Sequence, residues 1–169
     1  MSGHWRPSAE LEVLRARAEM LSRIRAFFLD AGVLEVETPL AGAAAHTDPM
    51  LDSLATRYTG PGAAGGRRLY LQTSPEFAMK RLLAVGSGPI YQICKAFRDG
   101  ERGRLHNPEF SILEWYRPGY DHHQLMDEVE ALVAPLLGVE AAFERRSYAE
   151  LFRHHLGLDP LAAGVSRLR

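Results

Sequence analysis

The sequence predicts an α+β fold, in which antiparallel strands lie together and helices are grouped around them. Apolar residues recur every three or four positions near both ends of the 169-residue chain, at 8–32 and 121–138, which indicates helices there. Two alternating, strand-like segments, 90–98 and 109–117, are joined by one charged loop. Strands that follow each other without an intervening helix favour antiparallel pairing over βαβ units.

The first predicted element is a long amphipathic helix, which Ser8 would cap and Gly32 would end. Its apolar positions are Leu14, Ala18, Leu21, Ile24 and Phe28. The alternating segment 33–38 follows and is closed by Pro39, which predicts an edge strand. The pattern leaves two interpretations open: the helix and strand form a dimer surface, or the helix packs on its own sheet.

A hairpin and a short helix are predicted next. A glycine-rich loop separates strand-like segments near 54–59 and at 68–72. Ser74 then caps a helix, with Pro75 at its first position and a stop at Gly86.

The two long strand-like segments carry the residues that suggest chemistry. In 109–117 a period of two places on one face Phe110, Ile112, Glu114 and Tyr116. A buried, unpaired carboxylate is costly, so Glu114 indicates a binding site unless this face is solvated. On the neighbouring strand Arg98 stands at the mouth of the loop, where it either binds a phosphate or carboxylate or forms an ordinary strand-end salt bridge.

Two further helices are predicted toward the end of the chain. Asp121 caps the first, and Ser147 with Glu150 forms the S-x-x-E capping box of the second. Histidine pairs stand at 122–123 and 154–155. Sequence neighbours point in different directions on a helix, and no cysteine stands near them, so we expect no metal site there.

Composition restricts the class of protein. The formal net charge of −1 lacks the basic excess typical of a broad nucleic-acid surface. Cys94 is the single cysteine, so an intramolecular disulfide is excluded. No apolar stretch approaches the roughly 20 residues that span a bilayer, and no signal peptide is visible. We therefore expect one cytoplasmic domain without membrane contact.

Three segments resemble motifs of class II aminoacyl-tRNA synthetases, in the order of that family. Residues 97–110, FRDGERGRLHNPEF, resemble motif 2, and HNPEF is typical of lysyl-tRNA synthetases. Residues 73–83, TSPEFAMKRLL, resemble the amino-acid-binding segment, and 32–39, GVLEVETP, resemble motif 1. EWYRP at 114–118 is similar to a branch of this family, the elongation factor P lysine ligases, which modify a protein lysine.

The resemblance implies an ATP site around motif 2. Arg98 would be catalytic, holding the α-phosphate and stabilising the transition state, and Phe110 would stack on adenine. Asn107 and His106 would contact the nucleotide or hold the loop. Many relatives carry glutamate at the position of Gly100 to bind the adenine amino group. Its neighbours, Asp99 and Glu101, are the candidate substitutes.

The resemblance also implies a pocket for lysine or β-lysine. Glu76, Glu114 and Tyr116 would bind the amino groups of this substrate, while Ser74 and Pro75 would shape the pocket. Carboxylates are what a substrate with two amino groups demands. Taken alone, Glu76 is more typical of a partner for the dipole at a helix N-terminus.

The expected whole protein follows from the same resemblance. Residues 1–169 would form the N-terminal part of the catalytic domain, with motifs 1 and 2 but not motif 3, and without an N-terminal OB-fold anticodon-binding domain. Mg²⁺ is expected by analogy, with ligands outside this chain, and the motif 1 region would form a homodimer. The near-neutral charge favours elongation factor P over tRNA as acceptor. The alternatives are a lysyl-tRNA synthetase core and an inactive fragment that only binds or dimerises.

Overall fold

The computed structural model describes residues 7–168, and the chain divides into two compact units, Met1–Met126 and Asp127–Arg169. The helices are α1 Leu11–Asp30, α2 Glu76–Ala84, α3 His122–Leu137, α4 Tyr148–Leu156 and α5 Val165–Leu168. The strands are β1 Leu34–Glu35, β2 Ala41–Gly42, β3 Ala55–Tyr58, β4 Arg67–Leu71, β5 Ile90–Phe97 and β6 Glu109–Tyr116. Helices and strands are segregated, so the predicted α+β class agrees with the structure.

One sheet has the strand order β1-β5-β6. Strands β5 and β6 are antiparallel over their whole length, from Ile90 opposite Tyr116 to Phe97 opposite Glu109, which confirms the predicted pair. Strand β1 is at the edge, as predicted, but it is only two residues long and runs parallel to β5. The prediction of an entirely antiparallel sheet is therefore wrong at β1. The second sheet and α2 lie between β1 and β5 in sequence, which gives the long crossover that a parallel pair requires.

The second sheet has the order β2-β4-β3. Strands β3 and β4 form the predicted hairpin, with Ala55 opposite Tyr70 and Tyr58 opposite Arg67. Strand β2 was not predicted, because two small residues carry no alternating pattern.

Helix α1 packs on the first sheet through its C-terminal half. Phe28 is fully buried, and its ring stacks on Tyr91 of β5 at a centroid distance of 4.4 Å and contacts Trp115 of β6 at 5.6 Å. The N-terminal half differs from the prediction, because Leu14 is 45% exposed. The apolar stripe of α1 therefore extends beyond the part of the helix that packs on the sheet.

The ends of the helices test the predicted caps. The prediction for Ser8 is wrong: α1 begins at Leu11, after Glu10, whose side chain makes no cap hydrogen bond. Gly32 does follow the helix with φ +66°, a conformation that favours glycine. Asp121 caps α3 by accepting a hydrogen bond from the backbone N–H of Gln124 at 2.9 Å.

Among residues 7–168, no helix is long and apolar enough to cross a membrane.

The predicted capping box of α4 is present in full. Ser147 Oγ accepts a hydrogen bond from the N–H of Glu150, and the Glu150 carboxylate accepts one from the N–H of Ser147. We expect Ser147→Ala to destabilise α4 by about 1 kcal/mol, because one N–H loses its acceptor. Amide exchange in α4 should become about fivefold faster. Ser22→Ala, inside α1, is the matched control. Equal amide-exchange rates of α4 in the two variants would contradict the capping role of Ser147.

Candidate active site

Arg98 and Phe110 meet at the end of the β5-β6 ribbon. Phe110 lies opposite Ala96, and the backbone N–H of Arg98 donates to Pro108 at 2.9 Å, so pairing continues just beyond β5. The guanidinium carbon of Arg98 lies 5.0 Å from the centroid of the Phe110 ring. Arg98 stands two positions after Ala96, so its side chain shares a face with Phe110, and the two side chains are in contact.

Further contacts fix the Arg98 side chain, which is 27% exposed. Its Nε donates to the carbonyl oxygen of Thr73 at 3.4 Å, and Nη1 lies 3.7 Å from Glu101 Oε1. The cation is therefore anchored where strand β5 enters the loop. A partly buried guanidinium in this place can bind an anion such as a phosphate through its planar set of N–H donors.

The loop after β5 explains one departure from the family pattern. Gly100 has φ +76°, in the left-handed region where a glutamate would be strained. Asp99 Oδ1 accepts a hydrogen bond from the Gly100 N–H at 2.9 Å, which stabilises this turn. The neighbouring Glu101, rather than Asp99, is the carboxylate that reaches Arg98.

The other two loop residues predicted for the ATP site are His106 and Asn107. His106 pairs with Gly103 through backbone hydrogen bonds of 3.0 and 3.3 Å, which form a tight turn within the loop. The side chains of His106 and Asn107 are exposed, and no hydrogen bond joins them to Arg98 or Phe110 in the part of the chain that the structure describes.

Glu114 and Tyr116 form the centre of a second group, on β6. Tyr116 Oη donates a hydrogen bond to Glu114 Oε1 at 2.6 Å. Burial raises the pKa of Tyr116 well above its ordinary value, and the hydrogen bond to Glu114 and the negative charges of Glu114 and Glu76 raise it further. The phenol thus remains a hydrogen-bond donor at physiological pH. The hydrogen bond joins two of the three predicted substrate residues directly.

Glu76 is the first residue of α2. The Ser74 hydroxyl accepts a hydrogen bond from the Glu76 N–H at 3.3 Å. Pro75 is buried and is the N-cap residue of α2. The sequence had predicted Ser74 as the cap and Pro75 as the first helical residue. Two cationic or potentially cationic groups contact the carboxylate: Lys80 Nζ at Oε1, and His46 Nε2 at 3.5 Å from Oε2. The hydrogen bond from Lys80 is the main reason why the pKa of Glu76 is lowered, against an opposing effect of burial.

A cavity of about 360 Å³ adjoins this group. It lies between α2 and the β2-β4 strands, and its walls include His46, Tyr70, Ser74, Phe77 and Arg81. This volume falls within the roughly 300–1,000 Å³ typical of small-molecule pockets. The cavity adjoins Glu76 through its partners Ser74 and His46, while Glu76, Glu114 and Tyr116 are not among its lining residues.

The described residues form no metal site built from protein ligands alone. Among residues 7–168, no three His, Cys, Asp or Glu side chains are arranged so that they could hold a metal ion. No chemical step is therefore assigned to a metal.

Two partners of Glu76 were not recognised as site residues from the sequence. Lys80 was detectable, because it stands four residues after Glu76 on the same helix face. His46 gave no signal, because it lies 30 positions away and meets Glu76 only through the tertiary fold.

Comparison with known proteins identifies the class to which this fold belongs. Residues 4–159 match the model of the family described as tRNA synthetases class II (D, K and N). The match covers most of the chain, which therefore belongs to this class II synthetase family.

Within that family the chain is similar to proteins named elongation factor P--(R)-beta-lysine ligase. It is 54% identical over 165 residues to the one from Pectobacterium carotovorum, a match that covers 98% of this chain and 50% of the relative. Identity is 55% over 165 residues for Pseudoalteromonas translucida, covering 98% and 51%, and 52% over 169 residues for Photobacterium profundum, covering 100% and 52%. The chain spans about half the length of these curated relatives.

Proposed function

We propose that the protein containing this chain is an ATP-dependent ligase that activates lysine or β-lysine and transfers it to a lysine of elongation factor P. One observation carries the proposal: Glu114 accepts a hydrogen bond from Tyr116, and Glu76 already accepts one from an ammonium group, that of Lys80. The names of the relatives, with their identities of 52–55%, support the acceptor and favour (R)-β-lysine as the amino acid.

In the first step the carboxylate of the amino acid attacks the α-phosphorus of ATP. A carboxyl–phosphate bond forms, the bond to the β-phosphate oxygen breaks, and pyrophosphate leaves with its electrons. Arg98 stabilises the negative charge that develops on the α-phosphate oxygens. The anchoring of its guanidinium by Thr73 and Glu101 supports this role, because a pre-positioned charge needs little reorganisation.

In the second step the ε-amino group of the acceptor lysine attacks the activated carbonyl, an amide forms and AMP leaves. The net charge of −1 fits a protein acceptor better than a broad tRNA surface. The test offers ATP and (R)-β-lysine to the full-length protein with either elongation factor P or lysine tRNA. Intact-mass measurement should detect one added lysyl group on elongation factor P, while aminoacylated tRNA with unmodified elongation factor P would instead establish a lysyl-tRNA synthetase.

Four further expectations belong to the proposal. Residues 1–169 form the N-terminal part of the catalytic domain, in a protein of the cytoplasm that uses Mg²⁺ bound elsewhere. Two copies associate through α1 and β1. Exposed apolar side chains support this association, since Leu11 is 70%, Leu14 45% and Leu34 58% exposed.

Phe110 is proposed to stack on adenine, because its ring already lies against the planar guanidinium of Arg98. Stacking on an aromatic ring contributes about 1–3 kcal/mol, so Phe110→Leu should raise the KM for ATP about 5- to 150-fold. The KM for the amino acid should change little. Phe110→Tyr, which retains the ring, is the control, and equal ATP affinity in the leucine variant would exclude the stacking role.

A further inference from the structure

His46 is held in one orientation beside the α2 N-terminus. Its ring stacks on Phe77 with a centroid distance of 4.7 Å and an angle of 10° between the planes. Nδ1 accepts a hydrogen bond from the backbone N–H of Asp48 at 3.1 Å. Because Nδ1 acts as an acceptor, the ring hydrogen is on Nε2, the atom that lies 3.5 Å from Glu76 Oε2.

The two oxygens of Glu76 have partners of different character. His46 is 15% exposed and fixed by its stack and its hydrogen bond, whereas Lys80, at the other oxygen, is 57% exposed. A long, exposed lysine side chain moves at little cost. An incoming ammonium group can therefore replace Lys80 at Oε1 while His46 keeps Oε2 in place.

We propose that His46 is a positioning residue, which orients the Glu76 carboxylate for the ammonium group of the substrate. This inference rests on the proposed function, in which Glu76 binds a lysine-like amino acid. His46 also lines the cavity, together with Ser74, the residue whose hydroxyl accepts a hydrogen bond from the Glu76 N–H. A histidine that only filled the core would need the stack on Phe77 but not the Nε2 donor.

Two variants separate these roles in ATP–pyrophosphate exchange by the full-length protein with (R)-β-lysine. His46→Phe keeps a ring against Phe77 and removes the donor, and it should raise the amino-acid KM about tenfold with kcat and the ATP KM within about twofold. His46→Gln loses the ring but supplies an amide N–H, and it should recover most of the loss. In a Glu76→Gln background, His46→Phe should have no additional effect. His154→Ala, on exposed α4, is the control and should match the wild type.

The possible results are distinguishable. A wild-type amino-acid KM in His46→Phe, or a Gln variant worse than the Phe variant, would overturn the positioning role and leave a packing role. Additive effects of His46→Phe and Glu76→Gln would also overturn it, since the two residues would then act independently. If the wild type shows no amino-acid-dependent exchange, the proposed function itself fails and the inference fails with it. Thermal midpoints within a few degrees of the wild type establish that each variant folds.

Discussion

Arg98→Ala is expected to lower kcat for ATP–pyrophosphate exchange by about 10²–10³, the usual effect of removing a preorganised group that stabilises charge in a transition state. The guanidinium is three-quarters buried and anchored at the end of β5, so its charge is held in place before the reaction begins. Because the charge matters most as it develops, kcat should fall more than the KM for ATP rises.

Two comparisons sharpen this prediction. Arg98→Lys keeps the positive charge but not the planar pair of donors, and its activity should lie between those of the alanine variant and the wild type. Arg102→Ala removes an exposed arginine from the same loop and should retain wild-type kcat. Equal kcat in Arg98→Ala and Arg102→Ala would contradict the catalytic role. Arg98 would then serve only in the ion pair with Glu101 at the end of the strand.

Glu114→Gln is expected to raise the KM for the amino acid about 100-fold, because one or two hydrogen bonds between charged groups contribute about 1.5–3 kcal/mol each. The glutamine retains the shape of the side chain and can still accept from Tyr116, so the local fold should persist. The KM for ATP should change little, since Glu114 lies four positions along β6 from the proposed adenine contact, Phe110.

Glu109→Gln is the matched control on the same strand. Glu109 is on the opposite face of β6 and pairs with Lys95 at 3.2 Å. Its substitution should leave both KM values near the wild type. Equal KM increases in the two variants would indicate a general effect of charge on β6, and an unchanged KM in Glu114→Gln would remove Glu114 from the substrate pocket.

Local patterns in the sequence predicted the part of the fold that carries most of the site. Strands β5 and β6 were correct to within one residue, because eight alternating positions on each side of a charged loop determine both pairing and face. The period of two placed Glu114 on the same face as Tyr116, whereas the contact between Arg98 and Phe110 depends on the register, which the sequence did not predict. The capping box of α4 was also correct, since all of its hydrogen bonds join residues within four positions.

The failures involve contacts between distant residues or very short elements. The parallel pairing of β1 with β5 depends on the crossover through the second sheet. The first half of α1 is exposed because the sheet packs only against the second half of the helix. Strands β3 and β4 separate His46 from Glu76 in sequence, so no local pattern indicates their contact. Gly100 is intermediate: its residue type indicates a turn, but only its φ of +76° explains why glutamate is unsuitable there.

The measurement that tests the central claim most directly is ATP–pyrophosphate exchange by the full-length protein with a panel of amino acids. The panel contains (R)-β-lysine, α-lysine, the uncharged analogue norleucine, and aspartate and asparagine, the other substrates in the name of the matched family. The account predicts exchange with the two lysines and none with the other three, because the carboxylates of Glu76 and Glu114 require a second ammonium group. Exchange with aspartate or norleucine at the rate found with lysine would contradict it.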